Sequence, residues 1–199
     1  LSEARPGIAL FALNTVLFPG GRLSLRLFEQ RYLRMARECL RDAQPFGVFR
    51  IIEGAEVGAP ATHEAVGCLA RIADWDMPQH GVLSIVAAGE ARVRVLERAL
   101  EPDGLARGTV ATLAEPPDAA PSAELRESVT LLERLLALQG EPPATDVQRD
   151  SALWVSARLA ERLGLPGDFS QQLLACDDAL ERLAMLHRAL GAAGAFPAR

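Results

Sequence analysis

The apolar spacing changes twice between Ile8 and Leu40, and that succession restricts the fold more than any other stretch of the chain. Ile8–Leu13 is a short unbroken apolar run, the pattern of a buried strand. Pro19-Gly20-Gly21 follows as a turn, because proline presets its own φ and glycine tolerates positive φ. Leu23, Leu25 and Leu27 then alternate with Arg22, Ser24 and Arg26, the period of a half-buried strand. From Phe28 the period becomes helical. Phe28, Tyr32, Met35, Ala36, Cys39 and Leu40 form one stripe, and Gln30, Arg31, Arg34, Arg37, Glu38 and Arg41 form the opposite face.

These residues resemble the opening of the Lon protease N-terminal (substrate-binding) domain family. The matching segments are Val16-Leu17-Phe18-Pro19-Gly20, Leu23-Ser24-Leu25-Arg26-Leu27-Phe28 and Glu29-Gln30-Arg31-Tyr32. Gln30 stands where the family usually carries proline, and either residue suits the first turn of a helix. Further on, Gly67–Trp75, Gly89 and Arg92-Val93-Arg94-Val95 resemble the family's second block. Trp154, Leu163-Gly164-Leu165-Pro166 and the run from Gln172 to Leu183 resemble the helical half of its longer members. The likeness spans roughly residues 7–190.

All 21 basic residues are arginine. A P-loop lysine, a Ser-Lys dyad and a Schiff-base lysine therefore have no candidate. Together with the resemblance, this gives the expectation of a stand-alone domain without ATPase or peptidase, not an enzyme. No G-x-S-x-G elbow surrounds Ser84, and Asp74 with Asp76 could form an acid–base pair only if buried. Cys39, Cys68 and Cys176 lie far apart, and no His or Cys pair has zinc spacing, so no metal or cofactor is expected. The odd cysteine count, the absence of an export signal and the lack of a membrane-length apolar run point to a cytoplasmic protein.

A Pro- and Ala-rich stretch, Glu115–Pro121, divides the chain. Before it the pattern is mostly strands: Phe46–Ile52, Val66–Trp75, Val82–Ala87, Arg92–Leu96 and Arg107–Leu113, with Asp76–Gly81 as a hairpin-like loop. After it every segment has helical spacing. Leu125, Val129, Leu132 and Leu136 line one helix. Thr145–Gln148 has capping-box form for a second helix, running to Leu163, and a short helix covers Ser170–Ala175. Asp178 with Glu181 has the box spacing for the last helix. Periodicity alone gives an antiparallel α+β unit followed by helices. The resemblance refines this to a PUA-like antiparallel β pseudobarrel with one inserted helix (residues 7–115), followed by a C-terminal α-helical bundle (residues 121–191).

The resemblance implies recognition of unfolded or partly folded polypeptide segments, or of a protein partner. The contact candidates are Phe18 at the first turn, Trp75 with Met77 at the hairpin, and Arg31. Three have a competing structural role: Phe18 and Trp75 as core plugs, Arg31 as a bridge to a carboxylate or carbonyl. PUA-like barrels also include RNA binders, so RNA binding is the alternative. Seven Arg between Arg22 and Arg50, against three acids, give it some support. The net charge of −5 and the acidic helical half argue against it.

Overall fold

The computed structural model describes residues 4–196 and divides into two compact units, Leu1–Ala114 and Glu115–Arg199. The first contains strands β1 (Ala4–Leu13), β2 (Arg22–Leu27), β3 (Phe46–Glu53), β4 (Thr62–His63), β5 (Val66–Gln79), β6 (Val82–Leu100) and β7 (Ala106–Thr112), with helix α1 (Gln30–Asp42) inserted after β2.

Strands pair in the order β1-β7-β6-β5-β3, and β1 pairs again with β3, so five strands close into a ring. Every pairing is antiparallel except this closure, where Leu10 faces Gly47 and Ala12 faces Phe49 in parallel register. Closure explains why β1 is apolar without alternation: both of its faces are buried. Ile8 and Leu10 meet Phe49, Leu69, Val93 and Val110 inside the ring. Ala9, Phe11 and Leu13 face outward and join Tyr32, Met35, Ala36 and Cys39 of α1 in a second core.

The two segments expected as separate strands at Val82–Ala87 and Arg92–Leu96 are one continuous strand. It pairs with β5 from Val82 to Arg94, with β2 from Leu83 to Ala88 and with β7 from Val93 to Leu100. Gly89 lies where the strand passes the first turn; a Cβ there would collide with the Phe18 carbonyl oxygen. The turn is stapled to it by Gly20 N–H donating to Gly89 O and Gly89 N–H donating to Gly21 O, both at 2.9 Å.

The expected loop Asp76–Gly81 is also mostly strand. β5 runs through Pro78 to Gln79, and only His80-Gly81 turns, with Gly81 at φ 81°. Pro78 is accommodated because the register slips between Asp76 and Gln79, and a bulge needs no donor from it.

Helix α1 begins at Gln30, after Glu29 in extended conformation. Phe28 is therefore not on its stripe; it is 52% exposed. Arg31, expected on the polar face, is buried at 5% exposure.

The second unit holds a 3-10 turn (Ala123–Leu125) and helices α2 (Arg126–Leu138), α3 (Asp146–Arg149), α4 (Ala152–Arg162), α5 (Gly167–Ala175) and α6 (Ala179–Ala192). Leu125, Val129, Leu132 and Leu136 are buried, as their spacing predicts. The Thr145–Gln148 capping box forms with both halves present, yet it opens only the single turn α3. A fresh cap at Ser151, accepting from Trp154 N–H at 2.9 Å, starts α4. Asp118 accepts from Leu153 N–H at 3.0 Å. Two separate caps thus replace one continuous helix. Asp178 caps α6 by accepting from Glu181 N–H at 2.8 Å.

Candidate functional site

Trp75 is carried near the end of β5, opposite Ile85 of β6. That register aims its side chain to the face shared with α1, but beyond the helix's apolar stripe. The ring is 55% exposed, and Met77 is 58% exposed. With Leu33, Leu40 and Leu83 they border a groove of about 340 Å³ between α1 and the hairpin tip. Arg37 and His80 supply its polar rim. Arg37 is exposed and forms no ion pair among the described residues.

The other two sequence candidates lie elsewhere. Phe18 is 1% exposed, with its backbone carbonyl against Gly89, so it offers no surface to a partner. Arg31 is a structural bridge: its guanidinium meets Glu29 Oε2 at 3.1 Å, donates to Gly104 O at 3.2 Å, and lies 4.6 Å from the Tyr32 ring centroid. Thus Trp75 and Met77 come together, while Phe18 and Arg31 belong to the scaffold. Sequence reading missed Leu33 and Leu40 as groove residues. Their apolar character beside the exposed Arg37 was the available signal.

An ionic cluster anchors α1 from its far side. Arg34 binds Glu101 and Asp103, and Arg107 binds Glu101 (2.8 Å) and Glu38. Burial pushes the Glu101 carboxyl up, but hydrogen bonds from Arg34 and Arg107 outweigh it and hold the group below its ordinary range. The Leu105 N–H, together with Arg34, lowers Asp103. These groups fix the helix that forms one groove wall; they do not enter the groove.

Reactive chemistry has few candidates. Burial raises the Cys39 thiol to about 11, leaving it protonated at neutral pH. Asp74 and Asp76 are exposed, and Asp74 accepts from Trp75 N–H at 2.9 Å, so the burial an acid–base pair requires is missing. Ser128 meets His187 Nδ1 at 3.0 Å, but Ser128 is fully buried where α2 approaches α6. Among the described residues no group of three or more His, Cys, Asp or Glu is placed to hold a metal ion. No helix among them is long and apolar enough to cross a membrane.

Comparison with known proteins agrees with this architecture. A crystal structure of a Lon N-terminal domain protein from Xanthomonas campestris is 36% identical, with a TM-score of 0.75 over 90% of this chain and 96% of that one. The N-terminal domain of the Mycobacterium avium complex Lon protease is 17% identical with a TM-score of 0.59, over 92% of this chain and 96% of that one; it supports the fold alone. No curated protein matches the chain. The family model of the ATP-dependent protease La (LON) substrate-binding domain matches residues 7–191, nearly the whole sequence, and the chain therefore belongs to the Lon substrate-binding domain family.

Proposed function

We propose that this protein is a non-catalytic polypeptide-binding module that acts as an adaptor in protein quality control, and that it engages exposed apolar segments through the Trp75–Met77 groove. The observation that supports this most is the exposure of two large apolar side chains beside Leu33 and Leu40. Such side chains are normally buried, and a contiguous exposed group of them marks an interaction surface. Tryptophan and methionine suit variable clients. The indole gives a large rigid contact, and the thioether adapts its shape.

A catalytic role finds no support in the arrangement around the groove, which contains no paired acid and base and no activated nucleophile. RNA recognition draws little support from the arginines. Of the seven between Arg22 and Arg50, Arg31, Arg34, Arg41 and Arg50 are engaged by carboxylates. A cytoplasmic setting goes with this reading, since Cys39 is a free, buried thiol.

The test is titration of fluorescein-labelled unfolded casein with the wild type and with Trp75→Ala, with casein and ATP hydrolysis assayed in parallel. Saturable binding, weakened about tenfold by the substitution, is expected for loss of one aromatic anchor. Hydrolysis that persists through rigorous purification would overturn the non-catalytic reading. Stoichiometric binding of one folded partner, with no affinity for casein, would replace unfolded clients by a dedicated partner.

A further inference from the structure

We propose that the outer edge of β2 captures an extended polypeptide as an added strand, and selects segments carrying carboxylates four residues apart. This rests on the polypeptide-binding reading and names a second surface and its recognition chemistry.

β2 pairs on one side only. Arg22–Leu27 lie opposite Ala88–Leu83 of β6 without a register slip, and no other strand among the described residues pairs with β2. The hydrogen bond from Gly89 N–H to Gly21 O sets the phase of this ladder. Leu23, Leu25 and Leu27 exchange bonds with β6, because bonded and non-bonded pairs alternate in an antiparallel ladder. Arg22, Ser24 and Arg26 accordingly direct their N–H and C=O groups away from the sheet. These are the groups an incoming backbone satisfies in strand addition.

A groove of about 240 Å³ lies along the second half of β2, lined by the consecutive residues Ser24–Glu29 with Phe11, Leu13, Tyr32, Glu56 and Val57; the Glu56 carboxylate there accepts from Asn14 N–H at 2.6 Å. An added strand would alternate with β2. Side chains opposite Arg22, Ser24 and Arg26 would share their exposed face. The intervening side chains would share the face of Leu23 and Leu25 and meet apolar surface.

The charges decide the occupant. Arg22 and Arg26 are exposed and form no ion pair among the described residues. If a second copy paired through the same edge about Ser24, Arg22 would face Arg26 twice, and like charges directly opposite are destabilising. The arginines thus guard the edge against self-association. A segment with carboxylates opposite both of them is complementary.

The probe is a labelled, acetylated seven-residue peptide with valine at odd positions, aspartate at positions two and six, and serine at position four. Its binding to the full chain is followed by anisotropy. Binding is expected, and should be about tenfold weaker when lysine replaces aspartate or when the aspartate and serine amides are N-methylated. N-methylation of the valine amides, which face away from β2, should change little. Ser24→Pro removes an outward N–H without touching the ladder to β6 and should weaken binding similarly. Arg22→Glu with Arg26→Glu should reverse the preference towards the lysine peptide.

Affinity blind to N-methylation and to peptide charge, with casein binding intact, would overturn the edge inference and leave the Trp75 groove standing. Failure of the wild type to bind both the peptide and casein would overturn both. The N-methylated peptides keep the test decisive even if Ser24→Pro does not fold.

Discussion

The rings of Phe11 and Tyr32 meet with centroids 4.4 Å apart and planes inclined by 58°, joining the first strand to the inserted helix. Tilted aromatic pairs at this distance add to the area they bury. Burial also raises the Tyr32 phenol above its ordinary value, opposed by the neighbouring Arg31. Tyr32→Ala should cost about 3–5 kcal/mol in chemical denaturation. A loss below about 0.5 kcal/mol would mean that the ring contributes nothing to the core.

Trp75 should behave in the opposite way. Its ring is mostly exposed, so Trp75→Ala is expected to change stability by less than about 1 kcal/mol while weakening casein binding. Paired denaturation and titration experiments read the two effects separately. A large stability loss would assign the indole to packing.

Acid should loosen the anchor of α1. Glu101 is held below its ordinary 4.5 in the folded chain, so the stabilisation it provides is present above about pH 4.5 and lost as pH falls through the lower folded value. Glu101→Gln should cost about 0.5–1 kcal/mol at pH 7 and blunt the decline in stability below pH 4.5. Urea midpoints measured from pH 7 down to pH 3 test both.

Glu161 carries the reverse sign. Burial raises its carboxyl to about 7, against the pull of Arg158 and Arg162. A raised carboxyl contributes stability that is complete below its ordinary 4.5 and disappears as pH rises through about 7. Stability near the helices should therefore increase as pH falls from 8 to 6. In a Trp75→Phe background, Trp154 of α4 reports this transition. Glu161→Gln should remove the pH dependence; a profile identical to wild type would show that the carboxyl does not titrate there.

Gly89→Ala should destabilise by about 1–3 kcal/mol, since the new methyl group meets a carbonyl held in a stapled turn and not a movable side chain. Retention of wild-type stability would mean that the turn yields freely.

Local pattern was legible wherever one element decided its own fate. The alternation of Leu23, Leu25 and Leu27, the stripe of Tyr32, Met35 and Cys39, and the box at Thr145 all took the form their spacing predicts. Features that depend on distant partners were not legible. Arg31 reads as a polar-face residue until Gly104 O and the Tyr32 ring are beside it. Phe28 shares the helical spacing, but the chain is still extended there. Nothing local announces that β1 and β3 run parallel, because that pairing is imposed by closure of the ring. Trp75 and Met77 are candidates by their position beside a turn and are exposed, whereas Phe18, a candidate for the same reason, is buried. Trp75 and Met77 sit on the end of β5, while Phe18 lies in the irregular stretch between β1 and β2, and neither placement is written in the local sequence.

The ring closure has a consequence during synthesis. β1 is hydrogen-bonded to β3 on one side and to β7 on the other, so its docking is incomplete until Ala106–Thr112 has been made. At ribosomal speeds of about 5–20 residues per second, the apolar run Ile8–Leu13 waits several seconds for that partner. While it waits, the newborn chain displays the kind of exposed segment that the finished protein is proposed to bind, which makes each nascent copy a candidate client of those already folded.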